Sequence, residues 1–346
     1  MGSSSARDDP SEEVIVGKPR HLVVVLSTLG LALASAAPVK ATCGSTACFL
    51  STLTEEGALP RRTFRLDLSY RYVDQSRKLA GTSATTEVLT PGVNFATGEL
   101  EPDHHREIKT GFHVMQADLS YGLTSRLSLT ASVPLVSVKH HEHVVIEDGE
   151  ERFTDGDGTK GFGDVQVGAR YAFLPSTRDL LLTSVAAKLP TGAHKRLDTA
   201  GEITEPTLQP GTGSTDVVAG LLYSHQLEPM KSEVFLNASY RHNGTSDLRY
   251  KLGDESQATA GVTRTLDGGW TASVQLNLRH GRRDRFIGVD VPSTGSTLLN
   301  LTPGLRWQAS PSLAVYAFVP VPVHQRVNEA QLAPRLGVVT GFSRRF

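Results

Sequence analysis

The sequence predicts an all-β protein, a transmembrane antiparallel outer-membrane β-barrel of about 12 strands in up-and-down order behind an N-terminal signal peptide. Three observations carry this. Strict two-residue alternation recurs from residue 63 to the C-terminus, the alternating segments run to about ten residues, and the links between them alternate between short and long.

The alternation is clearest in GFGDVQVGARYAF, residues 161–173, where Val165, Val167, Ala169, Tyr171 and Phe173 interleave with Asp164, Gln166, Gly168 and Arg170. A period of two marks a strand with one oily and one polar face. In a soluble sandwich the oily face would be inside; in an outer-membrane barrel it meets lipid and the polar face lines a lumen.

The same pattern appears in Phe64–Tyr72, Met115–Tyr121, Leu127–Leu135, Leu181–Leu189, Val217–Tyr223 and Val234–Tyr240. Further segments centre on Ala260, Val274, Leu301–Trp307, Val315 and Leu336–Phe346, those around 258 and 313 being the weakest. Short links at 122–126, 174–179, 227–231, 266–269 and 308–312 alternate with long polar ones at 74–110, 139–161, 191–213, 241–256, 281–297 and 324–334. Short periplasmic turns opposite long exterior loops are the layout of an outer-membrane barrel, and a sandwich has no reason to segregate its loops in this way. Aromatics near segment ends and the terminal Phe346 agree.

Upstream, Lys18 and Arg20 precede the apolar run Leu22–Leu33 and then Ala34-Ser35-Ala36-Ala37, a secretory signal with cleavage at Ala36. The run is shorter than the roughly 20 residues a spanning helix needs. The expected organisation is residues 1–36 as extension and signal, 37–62 as a periplasmic segment, and 63–346 as the barrel. Cys43 and Cys48 sit in that segment and in an exported protein pair as a disulfide, a redox or metal role being the alternative. The net charge of −1 over 346 residues excludes a large basic footprint for nucleic acid.

With lipid on the oily face, the lumen collects Arg65, Asp67, Arg71, Asp118, Asp164, Arg170, Lys188, Glu233, Arg279, Arg306, Arg335 and Arg345. Val218, Leu222, Phe235, Tyr316, Phe318 and Val339 also point inward, either as simple filling or as a patch for an apolar solute. Phe235, Tyr316, Phe318 and Leu222, with Arg65, Arg170, Asp164, Arg279 and Arg306, are the candidate lumen and solute contacts.

Histidines cluster in PDHHREIK and KHHEHVV. A hairpin turning at Thr124 places His143 near His105, so His105, His141 and His143, with Glu107 and Glu142 close by, can hold Zn²⁺ or Cu²⁺ on exterior loops. Solvated loop histidines are the alternative, and no other cofactor is expected. DGDGTK (155–160) imitates a calcium loop but carries Lys160 at the glycine position, so it is expected to be a solvated acidic loop. His242-Asn243-Gly244 lacks a serine nucleophile in reach, and with no other Ser/His/Asp set apparent the protein is not expected to be an enzyme.

The runs YGLTSRLSLTASVPL (121–135), the GFGDVQVGARYAFLP block, AAKLPTG (186–192), GTGSTDVVAGLLYS (211–224), YRHNG (240–244) and LTPGLRWQASPSLAVYAFVPVP (301–322) resemble, in order, the outer-membrane family labelled for the meta-pathway of phenol degradation. The resemblance implies a signal-bearing barrel that passes aromatic or otherwise hydrophobic compounds. The expected function is a monomeric channel in the cell outer membrane, surrounded by lipid, that admits small hydrophobic or aromatic solutes passively. No nucleotide-binding motif supplies an energy source. The alternatives are a non-transporting surface barrel whose histidine-rich exterior binds metal or a partner and, third, an outer-membrane enzyme.

Overall fold

The computed structural model describes residues 1–2 and 59–346, except 148, 174, 175, 177, 229 and 230. The signal run, Ala36, Cys43 and Cys48 lie outside the described residues. The barrel occupies the compact unit Lys40–Phe346. Among the described residues no helix is long and apolar enough to cross a membrane.

Among the described residues, twelve antiparallel barrel strands close on themselves. In chain order they are β1 (Phe64–Ala80), β2 (Glu99–Gly122), β3 (Leu127–Glu147), β4 (Gln166–Ala172), β5 (Asp179–Lys188) and β6 (Asp216–Glu228). They continue as β7 (Ser232–His242), β8 (Glu255–Thr265), β9 (Trp270–Gly281), β10 (Ser296–Ser310), β11 (Leu313–Phe318, resuming as Val321–Val327) and β12 (Ala330–Arg345). Each pairs with its sequence neighbours, and β1 joins β12 from Arg65↔Arg345 to Ala80↔Ala330. Closure matters because hydrocarbon offers no partner to a bare strand edge.

The lipid face follows the alternation. Met115, Val167, Tyr171, Val185, Leu221, Leu236, Val274, Leu276, Leu305 and Val315 are exposed outward, while Ser69, Gln116, Ser120, Thr259, Gln275, Asn277 and Thr302 between them are buried inward. Trp270 stacks on Trp307 across the β9–β10 ladder at 5.9 Å, near the short-turn end that holds both barrel termini.

Several expectations need correction. The stretches 74–110 and 139–161 are not all loop, since β1 runs to Ala80, β2 starts at Glu99 and β3 reaches Glu147. The sixth exterior link is a two-residue hairpin at 328–329 rather than a long loop. Alternation failed as a guide there because bulges change the inward parity. An extra residue on β12 leaves both Arg335 and Leu336 facing out, so Arg335 is not in the lumen. Arg345, at the end of the same strand, is also exposed and donates to the Pro311 carbonyl at the rim.

The exterior loops have a small core of their own. A three-stranded ribbon of Tyr250–Lys251, Arg285–Phe286 and Val289–Asp290 buries Tyr250, Leu252, Phe286 and Val291 against Val93, Phe95, Leu100 and Ile287. Asp284, fully buried, ties it together by accepting from Tyr250 Oη at 2.7 Å and Gly253 N at 2.8 Å.

Leu276 faces lipid at the middle of β9. Leu276→Arg is expected to cost about 2–4 kcal/mol of folding stability, measured by denaturant unfolding in lipid vesicles.

Candidate functional site

The lumen holds a cavity of roughly 300 Å³. Its wall comes from β1 to β8, with Arg71, Asp118, Arg170, Arg241 and Glu255 among its polar side chains and Leu182, Val218 and Leu222 among its apolar ones. The loop 189–215 contributes Pro206, Gln209, Pro210 and Thr212 to the lining, so it stands over the cavity on the exterior side.

Two of the groups that anchor this loop stand at the lumen wall. Asp164, just before β4, accepts from Gly192 N at 2.9 Å and from Thr212 N at 2.8 Å, gripping the loop at both ends. Lys188, at the end of β5, lies 2.9 Å from Asp164 and 2.9 Å from Asp216, all three buried. The second anchor is Lys139 on β3, whose ammonium donates to the Thr207 carbonyl at 2.7 Å and the Gln209 carbonyl at 2.5 Å. Gln209 is itself buried and bonds back to Arg196 and Thr204 within the loop.

Lys139 points inward only because of a bulge. Beside Pro134 the β2–β3 register slips by one residue, Leu135 and Val136 both face lipid, and the inward set on β3 changes from Ser128 and Ser132 to Ser137, Lys139, His141 and His143. A second bulge at Ile108 on β2 likewise turns His105 and Glu107 inward above Thr110.

Of the candidate solute contacts, Asp164, Arg170 and Leu222 line the cavity. Arg279 bonds Glu255, which also lines it. Arg65 and Arg306, close to the short-turn end, lie outside the lining. Phe235, Tyr316 and Phe318 lie outside it too, each laid over the glycine directly opposite on a neighbouring strand, Gly261, Gly341 and Gly304 respectively. A Cβ on Gly304 would sit 2.2 Å from the Phe318 ring, and one on Gly261 would sit 2.4 Å from the Phe235 ring. The three aromatics are buried, and Tyr316 donates to Asp67 at 2.6 Å. They fill the wall where glycine leaves a gap.

His105, His141 and His143 come together at the exterior mouth, beyond the apolar belt that ends near Met115 on β2 and Val136 on β3. His143 stands opposite Glu107 rather than His105, two residues from the expected register. Glu142 faces away, 3.4 Å from the exposed His140. Two acids that sequence spacing could not bring in are present instead, Glu205 from the loop and Asp157 from DGDGTK. Asp157 is buried, 3.3 Å from His143, and accepts from Thr199 N and Oγ1, so that stretch is not a solvated loop throughout.

Burial works against the charge on each of these groups. It pushes Glu107 above the ordinary carboxylate range and, helped by repulsion from His141 and His105, pushes His143 down to about 3. Burial is outweighed at Glu205, which the His105 hydrogen bond and the three imidazoles hold down to about 2, and at His105, which Glu205 holds above its usual value.

A family model matches residues 96–326, the stretch that builds β2 to β10 and most of β11. The chain belongs to the family described as "Putative MetA-pathway of phenol degradation". Within this family's barrel, the matched residues include the Lys139 and Asp164 anchors and the whole capping loop. An outer membrane channel from Pseudomonas putida F1 is similar in structure, with 16% identity, a TM-score of 0.57, and coverage of 84% of this chain and 98% of that one. The Ralstonia pickettii toluene transporter TbuX matches at 10% identity and a TM-score of 0.41, covering 85% of this chain and 93% of its own. A Pseudomonas aeruginosa FadL homologue matches at 13% identity and 0.40, over 90% and 98% of the two chains. No curated protein sequence matches this one.

Lys188→Met would leave Asp164 and Asp216 buried side by side without their cation. A loss of about 3–5 kcal/mol is expected, read as a lowered unfolding midpoint in denaturant.

Proposed function

We propose that the protein is a passive outer-membrane channel for small hydrophobic or aromatic solutes, exported through a cleaved N-terminal signal and working as a monomer. The observation that carries this is the cavity beneath the loop 189–215. An engineered apolar cavity of about 150 Å³ takes up benzene, so one of roughly 300 Å³ accommodates a single substituted ring.

Its lining is two-sided. Leu182, Val218 and Leu222 offer an apolar surface, and Gln166, Arg170 and Ser184 offer groups that meet a hydroxyl or carboxylate. A ring bearing one polar substituent, such as the phenol in the family's description, satisfies both sides. Contact falls to Leu222, Val218, Arg170 and Asp164, with Phe235, Tyr316 and Phe318 supporting the wall around them.

The test is initial uptake of labelled phenol at low concentration by intact cells whose outer leaflet is lipopolysaccharide. Cells lacking the protein should take it up more slowly, the parent chain should restore the rate, and a correctly inserted Leu222→Arg should not. Equal uptake by parent and variant would remove the cavity from the path. Sugar entry into proteoliposomes with a sharp size cutoff would make the lumen an open polar pore instead.

A further inference from the structure

A cluster of nitrogen and oxygen donors at the exterior mouth plays no part in the cavity chemistry above. His105 and Glu107 project from β2, His141 and His143 from β3, and Glu205 from the capping loop. One ligand atom from each of His105, Glu107 and Glu205 lies within 4.8 Å of the others. His141 Nε2 is 3.4 Å from Glu107 Oε2, and His105 Nδ1 is 2.9 Å from Glu205 Oε1. Ligands of a tetrahedral Zn²⁺ at about 2.0–2.1 Å stand about 3.3 Å apart, so the His141–Glu107 separation already has the length of one edge of such a site.

Unsatisfied atoms point the same way. His141 and His143 are each 3% exposed, and His141 Nε2 and His143 Nδ1 have no hydrogen-bond partner among the described residues. A buried ring nitrogen without a partner is costly. On His141 the Thr110 hydroxyl stands 2.9 Å from Nδ1, so that Nδ1–H can donate to it and Nε2 keeps its lone pair toward Glu107. Glu107 is held in turn by Thr90 Oγ1 at 2.8 Å, and His143 by Asp157 at 3.3 Å. A void of roughly 100 Å³, lined by Glu107, Thr110, His141 and Glu205, adjoins these atoms and gives an ion room to enter.

We propose that His105, Glu107, His141 and Glu205, with His143 beside them, form a binding site for a divalent transition-metal ion that fastens the loop 189–215 to the barrel wall. Imidazole nitrogen alongside carboxylate selects an ion such as Zn²⁺ over Mg²⁺ or Ca²⁺, which take oxygen donors. Glu205 lies next to the segment whose Thr207 and Gln209 carbonyls Lys139 holds, so the ion adds a second clasp on the same stretch of loop. The site does not depend on which solute crosses the lumen.

The experiment is titration of the full-length protein, refolded in detergent, with Zn²⁺ alone and with Mg²⁺ as control, together with deuterium exchange of residues 203–209. The expected result is one Zn²⁺ per chain, no competition from Mg²⁺, slower exchange at 203–209 when Zn²⁺ is bound, and loss of this binding in His141→Ala. Thr110→Val keeps every ligand and should weaken Zn²⁺ binding by about 10–100-fold, which serves if His141→Ala does not fold. Zn²⁺ binding unchanged in folded His141→Ala or in Thr110→Val overturns the site. Binding without slower exchange at 203–209 overturns the fastening of the loop.

Discussion

Everything in this protein is built on the hydrogen-bonded seam between β1 and β12, because lipid gives an unpaired backbone group no partner and a strand edge left open there would be untenable. The seam runs from Arg65↔Arg345 to Ala80↔Ala330. Once the sheet is a closed tube, each residue has only two places to go, and the two-residue period distributes oily side chains to lipid and polar ones to the lumen. The interior must then satisfy its own polar groups. It does so with short networks such as Thr302 to Asn277 at 2.6 Å and Asn277 to Thr259 at 3.1 Å, and with compact charge groups such as Lys188 between two aspartates.

The lumen is thus part filled wall and part free volume, and its exterior end is organised around one loop. Phe235, Phe318 and Tyr316 lie over glycines and thicken the wall there, while the free volume is lined by strands from β1 to β8. The loop 189–215 enters over that volume and is gripped by Asp164, by Lys139 and by the histidine and carboxylate groups at the mouth. The ribbon at Tyr250–Lys251 packs the links after β1, β7 and β9 against one another around a buried core of their own.

The barrel, its strand number and its lipid face were legible in the sequence because they depend on a repeated local pattern that lipid enforces at every other position. Aromatics such as Trp270 and Trp307 at strand ends added to it. What was hidden depends on single irregular residues or on distance. Val218, Phe235 and Phe318 all point inward, but only the partner opposite each decides whether it lines a cavity or covers a glycine. His105 and Glu205 are 100 residues apart and meet only through the path of the loop. The extension of β1, β2 and β3 beyond the belt was invisible to alternation, since both faces there are covered by protein or water and no longer differ in polarity. Pro320 in the break of β11, with Pro322 and Pro334 within β11 and β12, likewise disguised strand as loop.

The bulge beside Pro134 has a consequence for how such barrels diversify. One extra residue in β3 exchanges inside for outside along everything above it, while the paired wall below keeps its register. A single inserted codon at such a place can retire one set of lumen side chains and present another, already ordered on a rigid strand, without disturbing the part of the molecule that must satisfy the membrane. Heritable change in what the mouth recognises can therefore come in whole-strand steps as well as one substitution at a time.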